Sequence, residues 1–174
     1  MKDPTVQLWA EDEVHFQRHS SLTRMWSIKG QQPRVISAST RQKIGFLGAI
    51  SLKTGRLLTQ KCSTFNADTF GGFLDYLLHY TQGKILLILD NATWHRARDL
   101  KPFFIKNQKR LVRIFLPPYS PELNPIERVW RITRRQITHN RYFESIEDLE
   151  ISLTSHFVKW EQPNNALKIL CANI

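Results

Sequence analysis

The sequence predicts an α/β protein in which a mixed β-sheet is flanked by helices. Two observations support this prediction. Residues 44–52 and 56–62 have the composition of strands and are joined by a turn at Thr54-Gly55, which is the pattern of an antiparallel hairpin. After residue 66, helical patterns alternate with apolar strand-like runs, as in parallel strands joined by helices. We therefore expect antiparallel and parallel pairs in one sheet, with helices on its faces.

Four further segments have strand patterns. Residues 6–10 alternate apolar and polar side chains and run into the acidic residues 11–13, so we expect a short strand that ends in acids. Residues 35–39 are predicted to form a second strand, ahead of the hairpin. The continuous apolar run at residues 85–89 is typical of a central strand covered on both faces. Residues 111–115 are predicted to form another short strand.

The helix predictions rest on capping residues and on apolar spacing. Asn66 is a typical N-cap, and Gly83 marks the end of the helical pattern that follows, whose apolar positions are Phe70, Phe73, Leu74, Leu77 and Leu78. Residues 96–106 are predicted to form a second helix. Asn124-Pro125 begins a long helix, with Ile126, Val129, Trp130, Thr133 and Ile137 facing inward. Ser145 and Asp148 form a capping-box pattern that opens the last helix, with Leu149, Leu153, Phe157 and Trp160 on one face.

Composition restricts the class of protein. With 174 residues, 41% of them hydrophobic, the chain can form one domain with a real core. It has no apolar run long enough to span a membrane. Cys62 and Cys171 lack a CxxC partner and are interpreted as free thiols in a reducing cytosol. The 25 Lys and Arg residues against 15 Asp and Glu residues give a net charge of +10, which favours polyanionic partners.

Three carboxylates follow or precede predicted elements in a way that suggests a metal site. Asp12 follows the first strand, Asp90 ends the central apolar run, and Glu127 lies in the first turn of a helix after a proline-rich loop. If the strands of Asp12 and Asp90 are adjacent, the two acids can share a cation, and Glu127 completes the site. Ligands that are all oxygens suit Mg²⁺ or Mn²⁺ and not Zn²⁺. Two such ions about 3.5–4 Å apart support in-line phosphoryl displacement.

Each of these residues also has a structural interpretation. A solvated strand end explains Asp12 about as well as a metal site does. Asp90 and Asn91 could form a turn, although the five apolar residues before them favour function. Glu127 also fits the N3 position of a capping box with Asn124 as N-cap, and spacing alone does not separate the two readings. His95 on its own favours neither a core nor a functional role.

The long predicted helix also presents basic residues away from its apolar stripe. They are Arg128, Arg131, Arg134 and Arg135, with Thr138 at the same spacing. A solvated helix face is the default interpretation, but because the helix begins at the predicted site, phosphate binding becomes more favoured. The sequence contains no HExxH, paired CxxC, GxGxxG or GxxxxGK[ST] motif, so zinc chemistry and a nucleotide cofactor have no support.

Two segments resemble the signature blocks of a known family. They are Asp90-Asn91-Ala92-Thr93-Trp94-His95 and the stretch from Leu116 to Glu127, which contains the string PPYSPELNPIE. Both are similar to blocks of the IS630/Tc1/mariner transposase superfamily, and the IS630-like bacterial branch is the most similar. Residues 11–13 with residues 26–30 resemble that family's first catalytic block. The resemblance covers about residues 6–160.

The resemblance implies an RNase H-like DDE catalytic domain, with a mixed five-stranded sheet flanked by helices, over residues 1–174. Asp12, Asp90 and Glu127 would be the catalytic triad and would bind two Mg²⁺ ions, for which Mn²⁺ can substitute. Positions that match the motifs would lie behind the triad or face DNA: Glu13, Asn91, His95 and Asn124. The arginines of the long helix would contact DNA. The helix-turn-helix region with which the family recognises transposon ends is expected to be absent from these residues.

The family activity is cleavage at transposon ends, which frees a 3′-hydroxyl that is then joined to target DNA, commonly at TA. The implied partners are duplex DNA at transposon ends and TA-containing targets, and a homodimer is one assembly that this allows. No membrane partner and no nucleotide cofactor are expected, and the expected location is the bacterial cytoplasm at the nucleoid. Two other functions stay open: a decayed or repurposed transposase that binds DNA non-specifically, and an RNase H-type nuclease on the same fold.

Overall fold

The computed structural model describes residues 5–172, which form a five-stranded mixed sheet with helices on both faces. The strand order is β3-β2-β1-β4-β5. The strands are β1 (Val6–Gln17), β2 (Lys43–Ser51), β3 (Leu57–Cys62), β4 (Lys84–Leu89) and β5 (Leu111–Phe115). The helices are α1 (Ala67–His79), α2 (Lys101–Asn107), α3 (Ile126–Thr133), α4 (Ile146–Val158) and α5 (Asn165–Ala172). The ends of the predicted domain, residues 1–4 and 173–174, lie outside the described residues.

The sheet combines a meander with a parallel half, as the sequence predicts. β2 pairs antiparallel with β1 and β3, whereas β4 pairs parallel with β1 and β5. Because the parallel strands must be connected by crossovers, α1 and α2 run between them. The fold class is therefore confirmed. Within the described residues, no helix is both long and apolar enough to cross a membrane.

The two faces of the sheet are covered by different helices. On one face, Leu87 and Leu89 of β4 pack in a cluster with α1 and with residues around α2, including Phe70, Phe73, Leu74, Leu77 and Leu100. On the other face, Ala10 of β1 and Ile88 of β4 pack against α3, α4 and α5 through Val129, Trp130, Leu153, Phe157 and Leu167. The central strand is thus buried on both sides, which explains its continuous apolar sequence.

The predicted capping residues are confirmed. The Asn66 side chain accepts from the backbone N–H of Thr69, and the Ser145 side chain accepts from that of Asp148; both caps form complete capping boxes. Gly83 has a φ of +75° in the turn before β4, and a Cβ there would lie 2.4 Å from the carbonyl oxygen of Thr5. The helix opened by Ser145 is not the last, because α5 follows it. Cys62 and Cys171 are free thiols.

Three predicted boundaries are wrong. β1 continues to Gln17, because β2 pairs with it along its whole second half, so Asp12 lies inside the strand and not after it. Residues 35–39 form no strand; residues 22–42 lack helix and strand and are mostly exposed. The helix expected at residues 96–106 is only α2, preceded by two 3₁₀ turns. Pro102 has no N–H to donate to the carbonyl of Arg98, so an α-helix cannot extend upstream through it.

The helix that begins after Asn124-Pro125 continues from α3 through a wider π-helical turn at Arg134–Thr138. Its Trp130 is buried and lies directly on Gly48 of β2. A Cβ at Gly48 would lie 2.4 Å from Cη2 of Trp130, so only glycine admits the indole here. Gly48 is paired with Asp12 across β1 and β2, and this packing therefore sits immediately beside the predicted site.

We predict that Gly48→Ala lowers the free energy of unfolding by about 1–3 kcal/mol, because the added methyl group displaces Trp130 from a filled core. Gly72→Ala is the matched control: Gly72 is exposed in α1, and a Cβ there meets nothing within 4 Å. In a helix that control should gain up to about 1 kcal/mol. Urea unfolding measures both. Equal stabilities for the two variants would contradict the packing of Trp130 on Gly48.

Candidate active site

The three sequence-predicted acids line one cleft at the carboxyl end of β4. The pairing of Ala10 with Ile88, continued by two residues, brings Asp12 of β1 beside Asp90. Glu127 reaches the same cleft from the first turn of α3. The cleft has a volume of about 400 Å³, and the loop between β5 and α3 supplies its other wall with Leu116, Pro117, Pro118, Tyr119, Ser120 and Pro121.

The carboxylates in this cleft are close enough to influence one another. Asp12, Glu13 and Asp90 each offer a carboxylate oxygen, and these atoms lie within 4.8 Å of one another. Burial, followed by the negative charges of Glu127 and Glu13, raises the pKa of Asp12 to about 8. The indole N–H of Trp130 donates to Oδ2 of Asp12 at 3.2 Å, which fixes the direction of that side chain.

The capping-box interpretation of Glu127 is wrong. Asn124 does not cap α3, because its buried side-chain amide donates to the carbonyl oxygen of Glu11 at 2.9 Å. The N-cap of α3 is Pro125, which makes no side-chain hydrogen bond, and Glu127 is at the second helical position. Asn124 therefore fastens the loop before α3 to β1, and the Glu127 carboxylate is left lining the cleft.

His95 is fully buried behind Asp90. Its Nδ1 lies 2.9 Å from Oδ1 of Asp90, and its Nε2 lies 3.1 Å from Oε1 of Glu13 and 3.5 Å from Oε2 of Glu11. Burial opposes a charge on this ring, but the hydrogen bonds to Asp90 and Glu13 outweigh it and raise the pKa of His95 to about 10. The ring is therefore an imidazolium at neutral pH. Its hydrogen bond also holds the pKa of Asp90 below its ordinary value.

Glu11 belongs to this network, and the sequence did not single it out. Its side chain is 0% exposed, and burial, followed by the charge of Glu13, raises its pKa well above the ordinary value. Alternation along a strand puts Glu11 and Glu13 on the face of β1 that His95 contacts, and Asp12 on the face that Trp130 contacts. The same alternation would have separated the three acids in the sequence if the strand had been extended past residue 10.

Asn91 joins the loop after β4 to its neighbours. Its side-chain amide donates to the carbonyl oxygen of Leu116 at 2.6 Å, and its Oδ1 accepts from the guanidinium of Arg96 at 2.6 Å. The backbone N–H of Ala92 donates to Oδ1 of Asp90 at 2.8 Å. This loop is therefore fixed on both sides of the Asp90 carboxylate.

The arginines of α3 and its continuation have different surroundings. Arg128 is half-buried and donates to the carbonyl oxygen of Leu170 in α5, and Arg134 lies over the Phe16 ring. Arg131 and Arg135 are exposed. Two of the four predicted DNA-binding residues thus face solvent, while the other two also make contacts within the protein.

Comparison with known proteins agrees with this architecture. The family model for DDE superfamily endonucleases matches residues 7–150. The insertion element IS630 uncharacterized 39 kDa protein of Shigella sonnei is 30% identical over 158 residues, which cover 88% of this chain and 45% of that protein. The Tc3 transposase of Caenorhabditis elegans is 31% identical over 97 residues, 55% of this chain and 28% of that protein. The chain therefore spans less than half the length of these relatives.

Among solved structures, the Mos1 transposase in a paired-end complex with the left transposon end superposes with a TM-score of 0.71. The sequence identity is 16%, and the superposition covers 92% of this chain and 49% of that one. At this identity the comparison shows a shared fold, namely a mixed five-stranded sheet flanked by helices.

The shifted pKa values predict how stability depends on pH in the absence of divalent cations. The pKa of Asp12 rises from 3.8 to about 8 on folding, and that of His95 from 6.5 to about 10. Both groups bind more protons in the folded chain, so the stability they contribute is lost as pH rises through these values. We predict a steady fall in the free energy of unfolding between about pH 6 and pH 9, measured by urea unfolding in EDTA.

Asp12→Asn is the control for this measurement, because it removes one of the two titrating groups. It should make the fall shallower below about pH 8, where Asp12 titrates, and leave the fall above that pH. A wild-type stability that is flat or rises over this range would contradict the buried protonated network.

Proposed function

Because the chain belongs to the DDE superfamily of endonucleases, in its IS630/Tc1/mariner branch, we propose that it cleaves DNA strands at transposon ends and transfers them by in-line phosphoryl displacement. The single observation that supports this most strongly is the convergence of Asp12, Asp90 and Glu127 in one cleft. They come from a strand interior, a strand end and a helix start that are far apart in sequence. Family membership gives the class of chemistry, and this cleft supplies a place for it.

The residues of the cleft fit divalent metal ions. The donor set is entirely carboxylate oxygen, which suits Mg²⁺ or Mn²⁺. The raised pKa of Asp12 records unrelieved repulsion among these acids, which a divalent cation would remove. Both nitrogens of His95 already face carboxylates, so it does not compete as a ligand. Paired-end complexes of the mariner Mos1 transposase with Mg and with Mn support the same choice.

In the proposed mechanism Asp12, Asp90 and Glu127 hold two Mg²⁺ ions, for which Mn²⁺ can substitute. Bound there, such ions would supply activation of the attacking oxygen and stabilisation of the leaving oxygen. The protein's own contribution is orientation. Trp130 directs Asp12, and His95 together with the Ala92 N–H directs Asp90, so the carboxylates are positioned before the substrate arrives. The loop with Pro117 and Pro118 forms a stiff wall of the cleft.

The proposed substrate is duplex DNA, at transposon ends and at TA-containing targets. The net charge of +10 favours a polyanion, and Arg131 and Arg135 are exposed on the helix that starts at the cleft. A strand transfer complex of Mos1 supports this class of substrate. Homodimerisation and a location at the bacterial nucleoid are proposed with it. A decayed transposase would also bind DNA, and only an activity measurement separates the two.

We predict that Glu127→Gln abolishes nicking of supercoiled plasmid in Mg²⁺, at least about a hundredfold, because an amide is a poor ligand for a hard cation. Asp90→Asn should be equally inactive. Glu122→Gln is the matched control, since Glu122 is an exposed acid in the same loop outside the cleft, and it should nick like the wild type. Melting temperatures measured alongside show that Glu127→Gln still folds.

Nicking that survives Glu127→Gln would show that the third acid is misassigned. An inactive wild type that still binds DNA would favour the decayed transposase. Cleavage of RNA–DNA hybrids in preference to DNA duplexes would favour an RNase H-type nuclease.

We predict that Arg131→Ala together with Arg135→Ala weakens DNA binding by about the same factor for transposon-end and scrambled duplexes, because phosphate contacts carry no sequence information. The logarithmic salt dependence should flatten by up to about two contacts. Lys159→Ala with Lys168→Ala, two exposed lysines on the ends of α4 and α5, is the control. A strong preference of the wild type for one sequence would contradict this picture of phosphate-dominated binding.

A further inference from the structure

A second basic surface lies on the opposite face of the sheet from α3. It is a pocket of about 460 Å³ beside α2, lined by four cationic residues and four uncharged ones. The cations are Arg96, Arg98, Lys101 and Arg113; the uncharged residues are Ala97, Phe104, Ile105 and Gln108. We call it the α2 pocket. None of its lining residues is acidic, and the nearest acid in sequence, Asp99, is exposed and is not part of the lining.

Two of the guanidinium groups are held in fixed positions. Arg113 lies 3.6 Å from the centre of the Phe104 ring and donates to the carbonyl oxygen of His95 at 3.0 Å. Arg96 lies 3.9 Å from the centre of the Phe115 ring and donates to Oδ1 of Asn91. A guanidinium has five N–H donors, so these contacts leave others for a ligand. Stacked arginines that are positioned in advance suit planar, multidentate recognition of phosphate.

The charges in the α2 pocket are not neutralised by the protein. Among the described residues, no carboxylate lies within 4 Å of the charged nitrogens of these four side chains. Burial, followed by the positive charge of Arg96, lowers the pKa of Arg113. Like charges held together without a counterion destabilise a fold, and a bound polyanion is the partner that would relieve them.

The position of the pocket indicates which polyanion. Asn91 lines the catalytic cleft and accepts from Arg96, so one side-chain contact joins the cleft to the α2 pocket. The cleft lies at the edge of the sheet, between α3 on one face and α2 on the other. A nucleic acid strand that enters the cleft must continue past one of these faces or both.

We propose that the α2 pocket binds phosphodiester groups of the DNA whose reacting phosphate occupies the catalytic cleft, on the side away from α3. This rests on the proposed function for the identity of the polymer. DNA is then contacted from both faces of the sheet, by Arg131 and Arg135 on one and by the α2 pocket on the other. These contacts position the strand and do not read its sequence.

The test is a titration of a labelled DNA duplex with the full chain in EDTA, at several salt concentrations. Arg98→Glu with Lys101→Glu reverses two exposed charges of the α2 pocket. Lys106→Glu with Lys109→Glu is the control, because it makes the same change in net charge on exposed residues at the other end of α2, outside the pocket. The pocket variant should bind about tenfold or more weaker than the control, with a salt slope flatter by about one to two contacts.

Equal binding by the two charge-reversal variants would overturn the proposal, since only net charge would then matter. A wild-type chain whose DNA binding is displaced by inorganic phosphate beyond the effect of ionic strength would also overturn it, because the pocket would then be a site for small anions. The measurement contains no divalent cation and no cleavage step. Loss of nicking, which would refute the proposed function, is therefore recorded separately from loss of binding.

Discussion

The buried imidazolium of His95 is the interaction on which the rest of the site depends. Glu11, Glu13, Asp12 and Asp90 meet where β1 passes the end of β4, and so many carboxylates cannot be ionised together in a partly buried space without positive charge. His95 supplies that charge from inside the fold, with one nitrogen on Asp90 and the other on the two glutamates. Phe70 of α1 packs against the ring and keeps water from it. The fold can therefore keep an acidic centre without a metal ion.

The pleat of β1 divides the acids into two groups. Glu11 and Glu13 face His95 and are balanced by it, whereas Asp12 faces Trp130 and Glu127 and has no cationic neighbour among the causes of its raised pKa. Asp90 belongs to both groups, because its Oδ1 accepts from His95 while its side chain lines the cleft. Negative charge is thus neutralised on the buried side and left unbalanced on the cleft side. That asymmetry explains why one edge of a protein with a net charge of +10 would attract cations.

The sequence predicts the parts of this arrangement that depend on local pattern. The hairpin, the apolar run before Asp90 and the caps at Asn66 and Ser145 are all visible in short windows. The parts that depend on pairing between distant segments are not. β1 runs past Ala10 only because β2 pairs with it, so the length of the strand and the burial of Glu11 could not be read from residues 6–13. For Glu127, spacing favoured a helix cap equally, and only the contact of Asn124 with β1 separates the two readings.

The orientation of each acid is fixed by a different layer of the core. Asp12 is directed by Trp130, which sits on Gly48 in the layer formed by α3, α4 and α5. Asp90 is directed by His95, which is packed on Phe70 in the layer formed by α1 and residues near α2. Asn124 then joins the loop before Glu127 to β1. Since the two layers meet only across the finished sheet, the site is complete only when both have packed. A defect in either layer should therefore disturb the geometry of the carboxylates even where no residue of the cleft is changed.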